Sequence, residues 1–144
     1  MAEKVILIVD DEEEAHELIK EYLVRLNVEI YSAFNGKEGI EMYRELKAKG
    51  KKPDIVIMDL NLSGSNRFED LIRQMRGDEI DGVKATKEIK KIDPDANVIG
   101  FTAYAHLEWG EMLKKMGAKE VFGREIGFGG FAKKIESILK KNLS

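Results

Sequence analysis

Val5-Ile6-Leu7-Ile8-Val9 is an unbroken aliphatic run that ends on two carboxylates, Asp10 and Asp11. Successive side chains of a strand point to opposite faces, so a strand with water on one side alternates apolar and polar residues. A run without alternation is buried on both faces, as in a parallel sheet covered by helices. The layout recurs once, at Ile55-Val56-Ile57-Met58 ending in Asp59, and a further strand is predicted at Val98 to Phe101, followed by Thr102. Further strands are predicted near Glu29 to Ala33 and, briefly, around Glu120 to Phe122.

Between these runs the apolar residues recur at helical steps of three and four. The first helix carries Ala15, Leu18, Ile19, Tyr22, Leu23 and Leu26 on one face. The second starts near Gly36, buries Ile40, Tyr43 and Leu46, and ends at Gly50 before Pro53. A third runs from about Val83 to Ile92, ahead of the turn at Asp93-Pro94-Asp95, and the last carries Phe128, Phe131, Ile135, Ile138 and Leu139. The stretch from 63 to 80 is long for a loop. Its centre, Asn66 to Arg76, has Phe68, Leu71, Ile72 and Met75 on one stripe and a capping box of Asn66 with Glu69, so a helical insertion is expected there.

Alternating strands and helices with right-handed crossovers give an α/β, doubly wound fold with a five-stranded parallel sheet. Ligands in such folds lie beyond the carboxyl ends of the strands. The residues expected there are Asp10 and Asp11, then Asp59 with Leu60 and Asn61, then Thr102-Ala103-Tyr104, then Gly123 and Arg124. Two like charges about 4 Å apart repel by roughly 4 kcal/mol at an effective dielectric near 20, so the acids call for a cation. Mg²⁺ takes oxygen ligands and keeps several waters. Asp11 and Asp59 suit direct ligation, Asp10 ligation through water, and the Asn61 backbone carbonyl a further place. A metal at this edge keeps Asp59 ionised, and an aspartate can then act as nucleophile toward a phosphoryl group. Thr102 and Arg124 are placed to meet phosphoryl oxygens.

The 144 residues carry a net charge of −3, which gives no broad basic surface for nucleic acid. No apolar run reaches the roughly 20 residues of a membrane span, and the early first strand leaves no room for a leader, so a cytoplasmic protein is expected. The chain has no cysteine, which excludes thiolate metal sites. One domain over 1–144, with the insertion at 63–80 inside it, is the expected organisation.

Jointly, the Asp10-Asp11 pair, Asp59 after its aliphatic strand, Asp81-Gly82, Thr102-Ala103 and Gly117-Ala118 resemble a response-regulator receiver domain of the chemotaxis-regulator type. The resemblance covers nearly the whole chain. It implies a flavodoxin-like sheet in the order 2-1-3-4-5 and a role in a two-component phosphorelay. By it, Asp59 is the phosphoacceptor, charged by a sensor histidine kinase, a phosphotransfer protein or a small phosphodonor. Asp10 and Asp11 hold Mg²⁺, and Thr102 senses the phosphoryl group. Output passes to a downstream protein partner. The chain is then mainly a signalling protein that catalyses its own aspartyl phosphorylation and dephosphorylation.

Several positions depart from the family. Arg124-Glu125 stands where a Lys-Pro pair is usual, and an arginine is larger and forked where a lysine is a point charge. Val121 takes the place of the aromatic switch residue, and Tyr104, two beyond Thr102, is bulky where the family tunes phosphoryl lifetime. Arg124, the absent proline, Val121 and the 63–80 insertion motivate an alternative, a pseudo-receiver that binds proteins without phosphoryl chemistry. A metal-dependent phosphatase ranks last, because its second acid two residues after the nucleophile is Asn61 here. His16 and His106 read as exposed helical residues. Trp109, Met112 and Met116 read as helix core or a binding face. The glycines from Gly123 to Gly130 read as turn and helix-start residues, and Lys133-Lys134 with Lys140-Lys141 as a solvated face.

Overall fold

The computed structural model describes residues 3–60, 81–103 and 108–141, without the side chains of 81, 108 and 109. The expected insertion at 63–80, Asn61, Tyr104, His106 and the Trp109 side chain lie outside the described residues. In chain order the elements are β1 (Lys4–Val9), α1 (Glu13–Leu23), β2 (Val28–Ala33), α2 (Gly36–Ala48), β3 (Ile55–Met58), α3 (Asp81–Ile92), β4 (Val98–Thr102), α4 (Glu108–Lys115), β5 (Ala118–Gly123), a 3-10 turn (Arg124–Ile126) and α5 (Gly127–Lys141). The five strands form one parallel sheet in the order β2-β1-β3-β4-β5.

Alternate residues of the same strand feed two separate cores. Leu7 and Val9 of β1 join Val56 and Met58 of β3, Tyr43 of α2, Val83 and Ile89 of α3 and Leu113 of α4. Ile6 and Ile8 join Ile55 and Ile57, Ile19 and Leu23 of α1, and Phe131, Ile135 and Leu139 of α5. The aliphatic runs are continuous because each face of the sheet has its own helical layer to bury against.

β5 is longer than expected, six residues rather than three, and pairs with β4 up to Thr102 opposite Gly123. The buried face of α1 is also rotated from the expected one. Its buried residues are Ala15, His16, Ile19 and Leu23, while Tyr22 is 47% exposed and Leu26 lies beyond the helix. His16, expected at the surface, is 1% exposed. Both of its ring nitrogens find partners inside, so its burial leaves no polar atom of the ring unsatisfied.

The turn at Asp93 is held by its carboxylate, which accepts from the Asp95 amide at 3.0 Å and from the Tyr43 hydroxyl at 2.8 Å and pairs with Lys52 at 2.9 Å. Lys52, foremost among these partners, holds the carboxyl well below its usual range, at about 2. Gly50, at φ +79°, ends α2 in the left-handed conformation glycine adopts without strain.

The start of α3 lies against the end of β3. The Gly82 amide donates to the Leu60 carbonyl at 3.0 Å. A Cβ at Gly82 would collide with the Asp59 carbonyl oxygen and lie 2.8 Å from both Cα and O of Leu60. All three are backbone atoms, so a larger residue must displace the helix or the strand end. Gly82→Ala is expected to destabilise the fold by about 1–3 kcal/mol, or roughly 2–4 °C in Tm per kcal/mol for a chain near this size. An unchanged urea midpoint would show that the α3 start moves freely relative to β3.

Candidate functional site

The register of the sheet brings the acids together. Val9 is opposite Met58 in the β1–β3 pair, so the residues that follow, Asp10 and Asp59, leave the sheet side by side. The ladder continues one step, with the Asp59 amide on the Val9 carbonyl at 3.0 Å and the Asp10 amide on the Ala33 carbonyl at 3.1 Å. Asp10 is 3% exposed and Asp59 5%.

Each buried carboxylate has fixed partners. Asp10 Oδ1 accepts from the Glu12 amide at 2.9 Å, and Oδ2 receives Arg124 Nη2 at 2.8 Å. Asp59 Oδ1 accepts from the Leu60 amide at 2.8 Å, and the Thr102 hydroxyl, fully buried, donates to the same carboxylate. Burial, and then the neighbouring charge of Asp10, push the Asp59 carboxyl up to about 8, against the opposing pull of Arg124, the Leu60 amide and Thr102. Burial likewise pushes Asp10 up to about 6, opposed by the Glu12 amide and Arg124.

The structure thus brings Asp10, Asp59, Thr102 and Arg124 to one end of the sheet. Ligand oxygens of Asp10, Asp11 and Glu12 lie within 4.8 Å of one another, which adds Glu12 to the acids read from sequence. This all-oxygen donor set, beside the Asp10 and Asp59 carboxyls that burial holds above their ordinary range, matches a hard divalent cation.

Arg124 opens the 3-10 turn after β5. Its guanidinium lies 4.6 Å from the centroid of Phe101 and 5.4 Å from that of Phe128, and Nη2 also reaches the Phe101 carbonyl at 3.4 Å. A planar cation gains from stacking on aromatic faces in a way an ammonium does not. Nε is buried without a hydrogen-bond partner among the described residues. Phe101 stacks on Phe131 with centroids 3.9 Å apart and an interplanar angle of 1°, and meets the edge of Phe128 at 5.3 Å. Sequence reading missed both rings as partners of Arg124. The signals were present: Phe101 adjoins Thr102, and Phe128 lies close after Arg124 in sequence. Val121 packs on the opposite core, where its methyls and Leu113 flank Gly100.

No helix among the described residues is long and apolar enough to cross a membrane. Residues 6–136 match the response regulator receiver domain family. The chain is 34% identical over 118 residues to a chemotaxis protein CheY of Thermotoga maritima, covering 81% of this chain and 82% of that protein. Among solved structures, the response regulator TrrA of Thermotoga maritima, in complex with Mg²⁺ and BeF, superposes with a TM-score of 0.68 at 30% identity, over 94% of this chain and 98% of that one. The CheX–CheY–BeF3–Mg complex of Borrelia burgdorferi gives 0.74 at 19% identity, over 94% and 89%. On fold, site residues and sequence together, the chain belongs to the response-regulator receiver family of two-component systems.

Proposed function

We propose that this chain is a phosphorylation-activated receiver in a cytoplasmic phosphorelay, forming one domain over 1–144, with Asp59 as its phosphoacceptor. The observation that carries the reading is the Asp59 carboxylate itself: buried at the end of β3, beside Asp10 and bonded by Thr102. An Asp59 oxygen attacks phosphorus in line, forming the new P–O bond as the bond to the donor's leaving group breaks. Asp10, Asp11 and Asp59, with the Asn61 carbonyl, would hold Mg²⁺. When bound, the ion neutralises carboxylate and phosphoryl charge. The Thr102 hydroxyl then turns to a phosphoryl oxygen, and Arg124 exchanges Asp10 for another. Burial excludes the water that would hydrolyse the product.

The donor is a histidine kinase, a phosphotransfer protein or a small acyl phosphate. The gain of about −1.5 to −2 in charge on Asp59 is read by a protein partner through the segments that follow β3 and β4. A pseudo-receiver reading has one observation in its favour: Arg124 is committed to Asp10 and two aromatic rings. A Mg²⁺ titration separates the two, since a pseudo-receiver has no site that depends on Asp11 and Asp59.

Incubation with Mg²⁺ and acetyl phosphate is expected to add one phosphoryl mass, located to Asp59 by borohydride trapping and mass spectrometry. No adduct, or one that survives Asp59→Ala, sinks the proposal.

Stability without metal supplies a second test. Both carboxyls titrate higher in the folded chain, at about 6 and about 8, than the ~3.9 of an unfolded aspartate. Their penalty is absent below the unfolded value and grows as pH rises toward the folded ones, so metal-free stability falls across that window. Saturating Mg²⁺ is therefore expected to raise Tm more at about pH 8 than at about pH 5. Asp59→Asn, which keeps an acceptor for the Leu60 amide, should raise metal-free Tm at the higher pH. A Mg²⁺ shift of equal size at both pH values contradicts this.

A further inference from the structure

His16 lies five residues beyond Asp11, on the inner face of α1. Its Nε2 is 2.7 Å from the Asp10 carbonyl oxygen and its Nδ1 2.9 Å from Ser32 Oγ on β2. A carbonyl only accepts, so Nε2 carries the proton and donates. Nδ1 of the neutral ring then accepts from the Ser32 hydroxyl, which fixes the tautomer. Burial lowers the pKa of the ring and keeps it neutral. The ring of Phe34 lies 4.3 Å away, centroid to centroid, tilted by 37°.

The carbonyl that His16 holds belongs to the peptide joining Asp10 to Asp11. The orientation of that planar unit sets ψ of Asp10 and φ of Asp11 together. The Asp10 amide is tied to β2 at Ala33, and the Glu12 amide to the Asp10 side chain. His16 therefore supplies a long-range anchor to the peptide between these two ties, and Ser32 passes that anchor on to β2.

We propose that His16 is a positioning residue for the acidic pair: by bridging Ser32 to the Asp10 carbonyl, it fixes the peptide from which the Asp10 and Asp11 side chains leave, and so sets the direction in which they face a bound cation. The inference rests on the Mg²⁺ reading of the site. It asks of the histidine what outer partners of metal ligands do elsewhere, where their loss weakens metal affinity by about 10–100-fold.

The test compares the full chain with His16→Gln, His16→Leu and Ser32→Ala in calorimetric Mg²⁺ titrations, alongside thermal unfolding. Gln keeps an N–H near the Nε2 position, and its affinity is expected to stay within about threefold of wild type. Leu removes the donor, and a loss of about tenfold or more is expected. Ser32→Ala leaves the ring in place without its anchor and should fall between; it also serves if the Leu variant does not fold. In metal-free protein, ¹⁵N relaxation at the Asp11 and Glu12 amides should show a rigid loop in wild type and Gln and added motion in Leu.

Equal weakening in Gln and Leu would mean that His16 serves only packing, and wild-type affinity and loop rigidity in both Leu and Ser32→Ala would also overturn the inference. If the wild type itself binds no Mg²⁺, the metal reading falls and this inference falls with it. Wild-type binding that is indifferent to His16 and Ser32 removes only the inference.

Discussion

Two carboxylates end adjacent strands at a place that admits almost no water. Parallel pairing of β1 with β3 makes this unavoidable: once Val9 faces Met58, Asp10 and Asp59 leave the sheet together. Two like charges about 4 Å apart would repel by roughly 4 kcal/mol at an effective dielectric near 20, a substantial part of a small domain's net stability of about 5–15 kcal/mol. The surrounding bonds lower that strain. The Leu60 amide and the Thr102 hydroxyl serve Asp59, and the Glu12 amide and Arg124 serve Asp10. They do not remove it, since both carboxyls still titrate above the ordinary range. A site in this condition favours whatever brings positive charge to it, a proton or a cation alike.

Arg124 ties this strain to the aromatic core packed under α5. Its guanidinium reaches Asp10 while lying over Phe101 and Phe128, and Phe101 stacks on Phe131. Phe128 and Phe131 both belong to α5. The cation is therefore shared between the acidic edge and the aromatic core beneath α5. A lysine would keep the charge but lose the flat stacking surface. Val121 packs on the other core, and among the described residues the rings against Arg124 are Phe101 and Phe128.

The parts of this architecture that repeat locally were legible in sequence. Unbroken aliphatic runs named the parallel strands, and the residues just past each run named most of the acidic edge. The rest depends on partners that sequence distance conceals. His16 has the polarity of a surface residue, and only Ser32, sixteen residues on, and the Asp10 main chain make its burial inexpensive. The helical stripe of α1 was misread for the same reason, since a satisfied polar residue counts as apolar in packing but not in periodicity. β5 extends past the expected Glu120 to Phe122 because Lys119 is exposed on an edge strand, where the pattern of burial on both faces no longer holds. The role of Phe101 and Phe128 needed the three-dimensional approach of Arg124.

The backbone at the acidic edge is held as tightly as the side chains. A Cβ at Gly39 would come within 2.9 Å of Val9 Cγ2, and one at Gly82 would collide with the main chain of Asp59 and Leu60. The two strands that end in the buried acids are therefore each pressed by the first turns of a helix, α2 on β1 and α3 on β3. Close packing leaves the strand ends little room to shift when charge at the site changes. Thr102 and Arg124 reach the two acids through side-chain atoms alone, so the glycine contacts fix the strand ends independently of the bonds that lower the strain between the carboxylates.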